Sequence, residues 1–405
     1  MQITIHRGTH RIGGCVTEIK SSAARIIIDM GASLSPEQAE SDASLRIDGV
    51  TCGEPDCDGV LITHCHGDHV GLFESVLLQI PIYTGSVAKR IYKLVQQTVK
   101  DKLDKGSPER VETFKEYAAG QPLYFKDIKV TPYCIDHSAF DAYMFLIECG
   151  GKRILHTGDI RMHGARGRKM PYVFQKYARN IDALIIEGTM LSRQGEKVKT
   201  MHELGRDAEK LLKDSKNVFV LCSYTDIDAI AEFYAAAEKV RKPFVVCERD
   251  YQAEILRIAT STATSSFYDF KRRKVYVYGN NLHPFMNERG FCFLGRFNAV
   301  TQRVMQSFPD NLLIYSMWRG YLDKTHAAYD EYKSAFIEKA VSLGSKFEYL
   351  HTSGHASVED IEKICRITQA RVVIPIHCEV PESFGKLDID GEVRVLSDGE
   401  SLDIG

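Results

Sequence analysis

Short runs of Ile, Val and Leu, most of them closed by Gly, Asp or His, dominate the first 200 residues. They include Gln2–Ile5 (QITI), Arg25–Asp29 (RIIID), Asp58–His64 (DGVLITH), Asp127–Ile135 (DIKVTPYCI), Ala142–Cys149 (AYMFLIEC), Lys152–Asp159 (KRILHTGD) and Asp182–Gly188 (DALIIEG). Runs this short and this apolar predict buried strands that feed polar loops. Helical periodicity is sparser here. It predicts one helix after Asp68 through Gly71–Ile80 and another over Ser86–Leu103.

From 201 to 348 the pattern becomes an alternation. Met201–Asp214 and Asp226–Arg241 read as helices, and Asn217–Cys222, Pro243–Cys247 and Asn311–Ser316 as strands. A helix over 326–344 would place Tyr329, Tyr332, Phe336, Ala340 and Leu343 on one face. Past 349 the first pattern returns. Ser357 with Asp360 predicts a capped helix carrying Val358, Ile361 and Ile364 on one face, followed by the strand Arg371–Ile376. No internal repeat and no low-complexity linker interrupts this. The expected layout is a β-rich domain made of 1–200 and 349–405, interrupted by an α/β insertion at 201–348.

Composition agrees with that division, since 405 residues exceed what one core usually supports. The chain is 44% hydrophobic and 26% charged, which excludes disordered and fibrous classes. Its 52 Lys and Arg against 54 Asp and Glu exclude a globally basic nucleic-acid coat but leave room for a local basic groove. No apolar run reaches the roughly 18 residues of a membrane span. The opening MQITIHRGTHRIGG has no apolar core, so no secretory signal is expected. The 11 cysteines are odd in number and sit in apolar segments such as VTPYC and FVVC. They read as reduced core thiols of a cytoplasmic protein. Cys52 and Cys57 have no second pair nearby and read as incidental thiols of a turn.

The densest chemistry is Thr63-His64-Cys65-His66-Gly67-Asp68-His69, directly after the strand-like DGVLI. Imidazole nitrogens and a carboxylate suit Zn²⁺ or Mn²⁺ without help from Cys65. A loop so rich in ligands can serve two adjacent ions. The competing reading, a polar loop with incidental histidines, suits a lone His far better than this cluster.

HCHGDH resembles the HxHxDH signature of the metallo-β-lactamase superfamily, and further elements of that pattern follow in order. Asp29 is similar to its supporting aspartate, His137 in DHSAFDAY to its third histidine, and Asp159 in HTGDIR to its metal-bridging aspartate. The resemblance implies that His64, His66 and His137 hold one zinc ion. Asp68, His69 and a late histidine would hold the second, with Asp159 between them and Asp29 orienting the site from behind. Two ions about 3.5–4 Å apart can share a water, lower its pKa towards about 7 and clamp an attacked centre.

Glu187 in LIIEGTML, His355 in HTSGHAS and His377 in IPIHCE resemble motifs A, B and C of the β-CASP group. That group processes nucleic acids and includes the RNase J enzymes. The resemblance covers essentially the whole chain, although the insertion itself matches only loosely. It implies an αββα sandwich with an inserted α/β β-CASP-like cap, and an active site in the cleft between them. The implied reaction is hydrolysis of RNA phosphodiester bonds by a metal-bridging hydroxide. Asp68, Glu187 and His355 would be catalytic, with His355, oriented by Glu187, as proton donor. His377 would complete the second metal site, and a histidine there favours RNA over DNA.

The expected partner is single-stranded RNA, with no membrane contact and a homodimer as one option for assembly. With 28 residues after His377, the C-terminal domain that RNase J enzymes carry is not expected. Three basic clusters can meet a phosphate chain: Arg161–Lys169, Lys239–Lys242 and Lys271–Lys274. The first follows Asp159 and is expected to line the cleft through Arg166 and Arg168. The other two read as solvated helix ends. Ser316 and Arg319, with Tyr321, are candidates for a substrate phosphate, while Met317 and Trp318 read as packing anchors. Two other readings stand beside this one. One is a hydrolase of the same superfamily acting on a small ester, thioester or nucleotide. The other is a catalytically inert module of a processing complex.

Overall fold

The computed structural model describes residues 1–34, 42–193, 195–196, 198–272, 274–326 and 328–405. Arg273 of the Lys271–Lys274 cluster and Ala327 of the 326–344 helix lie outside the described residues. The chain divides into two units. Met1–Lys197 with Gly354–Gly405 form the first, and Val198–Ser353 form the second.

In chain order the first unit contributes β1 (Gln2–Arg7), β2 (Val16–Lys20), β3 (Arg25–Ile28), β4 (Gly59–Leu61), β5 (Ile82–Gly85) and β6 (Lys115–Tyr117). It continues with β7 (Leu123–Phe125), β8 (Ile128–Cys134), β9 (Tyr143–Cys149), β10 (Lys152–His156) and β11 (Ala183–Glu187). The second unit holds β12 (Asn217–Cys222), β13 (Phe244–Val246), β14 (Val275–Val277), β15 (Phe291–Leu294), β16 (Leu312–Ser316) and β17 (Lys346–Tyr349). The chain then returns to the first unit with β18 (Val372–Ile376), β19 (Glu392–Val393) and β20 (Glu400–Asp403).

The first unit is two mixed sheets, β20-β1-β2-β3-β4-β5-β6 and β19-β18-β11-β10-β9-β8-β7. Their inner faces share one core, in which Ile3, Ile19, Ile26 and Leu61 meet Val130, Phe145, Ile154 and Ile185. Outside the second sheet, Leu155, Leu184 and Ile186 pack on Phe174 and Ile361. Those two side chains come from the helices Met170–Tyr177 and Val358–Thr368. Over the first sheet, helix Ser86–Leu103 buries Ala88, Ile91 and Tyr92. The layers are therefore helix, sheet, sheet and helix. The strands β10, β11 and β18 run parallel and end side by side, which sets Asp159, Glu187 and His377 at one edge.

The second unit is one wholly parallel sheet, β14-β13-β15-β12-β16-β17. Phe219, Phe293, Leu313 and Tyr315 anchor its core. Its helices begin where capping chemistry permits. Thr200 and Glu203 exchange the two bonds of a capping box, and Asp226 and Asp330 cap the helices Ile227–Lys239 and Glu331–Ser342.

Three expectations are corrected. The run after Asp68 makes only a single turn at Gly67–Val70 and a 3₁₀ turn at Phe73–Ser75, in place of a helix through Ile80. The 326–344 helix starts at Glu331 and buries Ser334, Phe336, Ile337 and Ala340. Tyr332 and Leu343, 62% and 55% exposed, are off the buried face. The cysteines are all free, but Cys134 is exposed and Cys52, Cys57 and Cys149 are half-buried, so the thiols are not uniformly core groups. Among the described residues, no helix is long and apolar enough to cross a membrane.

Candidate metal centre

The cluster in the first unit grows from strand ends. The chain leaves β3 at Asp29, whose φ of 62° turns its buried carboxylate aside. That carboxylate accepts from the Thr63 amide at 2.7 Å and the Thr63 hydroxyl at 2.9 Å, which fixes the start of the histidine-rich loop. Gly31 allows the loop to close, because a Cβ there would collide with the Asp68 carbonyl. Past β10, Gly158 at φ 57° delivers Asp159. Past β18, His377 itself adopts a φ of 49° and donates its amide to the Gly8 carbonyl at 2.7 Å.

One ligand atom from each of His64, His66 and His137 lies within 4.8 Å of the others, and the same holds for Asp68, His69, Asp159 and His377. Asp159 stands between the two groups. Its Oδ2 is 3.9 Å from His64 Nε2 and His137 Nε2, 3.1 Å from His69 Nε2 and 3.6 Å from His377 Nε2.

Four of the imidazoles are held in the same way. His69 Nδ1 donates to Asp29 Oδ2 at 2.8 Å, and His137 Nδ1 donates to the Gly354 carbonyl at 2.7 Å. His64 Nδ1 meets the Thr63 hydroxyl at 3.0 Å, and His377 Nδ1 meets the Thr189 hydroxyl at 2.7 Å. Each Nδ1 is thus occupied from outside, which leaves the Nε2 lone pair for the centre. The Nε2 atoms of His64 and His69 and Oδ1 of Asp159 are buried without a hydrogen-bond partner. Buried polar atoms are rarely left so. Neutral imidazoles and carboxylates with orphaned lone pairs fit divalent zinc or manganese.

The electrostatics divide the histidines into three held neutral and two drawn towards the charged form by the carboxylates beside them. Burial, reinforced by the neighbouring histidines, holds His64 well below the usual imidazole value. Burial likewise lowers His137, and it lowers His66 to about 4. Burial pushes the carboxyl groups of Asp68 and Asp159 up, but the surrounding histidines outweigh it and keep both below the usual range. His69 and His377 move up against the pull of burial, because Asp159 and its neighbours favour their charged forms.

Glu187, at the end of β11 and fully buried, sits on the same edge. Its Oε1 receives His355 Nδ1 at 3.1 Å and the Ala356 amide at 3.2 Å, and its Oε2 receives the Thr189 amide at 3.0 Å. Burial alone would raise its pKa; the charge and hydrogen bond of His355 bring it below the usual value. His355 Nδ1 is also 3.7 Å from Asp159 Oδ2. It precedes helix Val358–Thr368, whose N-cap Ser357 accepts from the Asp360 amide at 3.1 Å.

The other candidates are placed differently. Arg161 does not face a phosphate path: it is fully buried and pairs with the buried Asp136 at 3.3 Å, directly before His137. Arg166 packs its guanidinium 5.0 Å from the Phe140 ring, and Arg168 is exposed on a 3₁₀ turn. In the second unit Ser316 is buried with an orphaned Oγ, while Arg319 lies 4.7 Å over the Tyr349 ring. Trp318 packs edge-on against Tyr321 and His326. Sequence reasoning missed Thr189, the Asp136–Arg161 pair and Cys15. The Cys15 sulfur lies within 4.8 Å of ligand atoms of His69 and His377, with its thiol held protonated by burial. Thr189 and Asp136 each stand within two residues of a candidate already named, and that adjacency was the available signal.

A family model described as the beta-lactamase superfamily domain matches residues 25–254, more than half of the chain. The chain belongs to this superfamily. Within the metallo-β-lactamase superfamily it is similar to a Ribonuclease J of Helicobacter pylori strain 26695, at 20% identity over all of this chain and 61% of that protein. It is also similar to a Ribonuclease J of Mycoplasma genitalium, at 24% identity over 98% of this chain and 71% of the relative. A probable RNase MJ4 of Methanocaldococcus jannaschii is 25% identical over 47% of the chain and 45% of its own length. The chain thus spans about three-fifths of the Helicobacter relatives. A crystal structure of a protein of unknown function from Enterococcus faecalis superposes with a TM-score of 0.77 at 20% identity. It covers 99% of both chains, which shows the fold.

Proposed function

We propose that this chain hydrolyses phosphodiester bonds of single-stranded RNA with two divalent cations, zinc or manganese. One would be held by His64, His66 and His137. The other would be held by Asp68, His69 and His377, with Asp159 shared between them. The observation that carries the reading is the convergence of Glu187 and His355 on the histidine–aspartate cluster, with His355 Nδ1 3.1 Å from Glu187 and 3.7 Å from Asp159. A purely structural metal site has no use for that second pair. The names of the Ribonuclease J relatives support the same chemistry.

Two such cations supply, when bound, Lewis acidity: water activated near neutral pH and charge neutralised on phosphate oxygens. The chain's own residues do the rest. Asp29, Thr63, Gly354 and Thr189 aim four imidazoles inward. Glu187, kept ionised, accepts from His355 Nδ1 and so orients the ring as proton donor to the departing 3′ oxygen. We further read the second unit, inserted between Glu187 and His355, as a β-CASP-type cap, and the protein as cytoplasmic, in keeping with its free thiols.

The test is incubation of metal-loaded protein with 5′- and 3′-labelled single-stranded RNA and DNA of one sequence. RNA cut and DNA spared is the expected result. Equal cutting of DNA would overturn the substrate, and no cutting of either would overturn the reading.

A further inference from the structure

The second unit contains a cavity of about 140 Å³ lined by residues that the sequence spreads over four segments. Arg241 and Lys242 come from one basic cluster and Lys274 from another, while Tyr276 lies on the edge strand β14 and Phe285 and Arg289 on helix His283–Arg289. Two clusters that read separately as solvated helix ends thus open onto one space.

Their cations are not equivalent. Lys239, at the start of the first cluster, pairs with Glu209 at 3.0 Å. Lys242 donates to the Leu212 and Ser215 carbonyls at the end of helix Met201–Asp214, so it is a structural clamp. Arg272 is paired with Glu238, the carboxylate of the lining, at 3.5 Å. Arg241, Lys274 and Arg289 remain: all three are exposed, and among the described residues none has an ion-pair partner. Lys274 and Arg289 lie instead 4.8 Å from the Tyr276 ring and 5.9 Å from the Phe285 ring. A ring quadrupole attracts a cation without neutralising it, so the charge stays available to an anion. The two rings are themselves 5.1 Å apart at 41°.

A space of this size suits one ring-sized group, as an apolar cavity of about 150 Å³ admits benzene. Three unpaired cations beside two aromatic faces select a ligand that carries both an aromatic ring and a phosphate. We propose that this cavity is a nucleoside-phosphate site, separate from the metal centre. The base enters against Tyr276 and Phe285, and the phosphate is gripped by Arg241, Lys274 and Arg289. Base stacking on aromatic side chains beside basic groups is how single strands are held without regard to sequence. The ligand is either a free nucleotide or one nucleotide of an RNA strand. The site stands independently of RNA cleavage, since it uses other residues and is read out by binding.

The experiment uses the full chain and a uridine octamer carrying 4-thiouridine. Photocrosslinks are mapped by mass spectrometry with uridine monophosphate, unmodified uridine octamer or polyglutamate as competitor. Binding is measured against salt for the wild type and the K274A/R289A double variant. The expected result is crosslinking at Tyr276 or Phe285 and a salt slope lower by about 1.4 in the double variant, from two lost phosphate contacts. Competition by uridine monophosphate assigns a free-nucleotide site, and competition only by RNA assigns a strand site. No crosslink at either ring together with an unchanged salt slope would overturn the proposal, as would displacement by polyglutamate as efficient as by RNA. RNA cleavage measured on the same samples tests the metal centre separately.

Discussion

Thr189 holds His377 through a 2.7 Å contact between its hydroxyl and the imidazole Nδ1, and the same hydroxyl lies 3.2 Å from His355 Nδ1. One small side chain therefore sets the orientation of a candidate ligand and of the candidate proton donor. Thr189→Val keeps the shape and removes the hydroxyl. Loss of a partner behind a metal-binding histidine typically costs 10–100-fold in metal affinity or activity. The variant is expected to lose metal affinity in that range, measured by competition with a chromogenic chelator. Thr189→Ser should restore it, because the oxygen rather than the methyl group makes the contact. A valine variant that binds metal as tightly as the wild type would remove this positioning role.

Asp136 and Arg161 form an ion pair with no solvent exposure on either side chain. Asp136 also accepts from the Gly164 amide at 2.8 Å. Removing one partner of such a pair leaves an uncompensated buried charge, at a cost of about 3–5 kcal/mol. Asp136→Ala should lose stability of that order in urea denaturation at neutral pH. The double variant Asp136→Leu with Arg161→Met, which removes both charges and keeps most of the volume, should lose less. Equal and small losses in both variants would contradict the role given to this pair.

Glu18 offers a pH-dependent test away from the metal centre. Burial pushes its carboxyl group up, but hydrogen bonds from His6 and Arg25 outweigh burial and bring it down to about 2. The folded value lies below the unfolded one, so the contribution is complete above about pH 4.5 and is lost as pH falls towards 2. The shift corresponds to about 3.4 kcal/mol, which solvent screening of this partly exposed pair reduces to about 2–3 kcal/mol. Glu18→Gln should therefore be less stable than the wild type at pH 7, with the difference closing between pH 4.5 and 2. A difference that does not change with pH would contradict the assignment.

Legibility in the sequence followed the range of the interactions. Strands such as Tyr143–Cys149 and Ala183–Glu187 are buried along nearly their whole length, so a run of apolar residues sufficed to expect them. The meeting of His64, His69, Asp159 and His377 was expected through the resemblance of HCHGDH, HTGDIR and IPIHCE to the superfamily's motifs, since strand-end placement alone does not say which ends meet. Three-residue strands such as Lys115–Tyr117 and Val275–Val277 lie at sheet edges and are partly exposed, which leaves no pattern to read. The 326–344 helix misled because Tyr329, Tyr332 and Leu343 complete an apolar stripe on paper. Tyrosine keeps a polar tip in water, and the true buried face runs through Ile337. The contacts of Thr189 and Arg161 were out of reach for another reason. Their partners lie 188 and 25 residues away, and only the folded sheet brings them together.

The most direct test of the central claim measures metal content and RNA cleavage on the same preparations of the wild type and His355→Ala. The account predicts about two equivalents of divalent metal in both proteins, with cleavage in the wild type alone. Two bound metals and undiminished cleavage in His355→Ala would contradict the role of His355. A metal-loaded wild type that leaves single-stranded RNA intact would contradict the account as a whole.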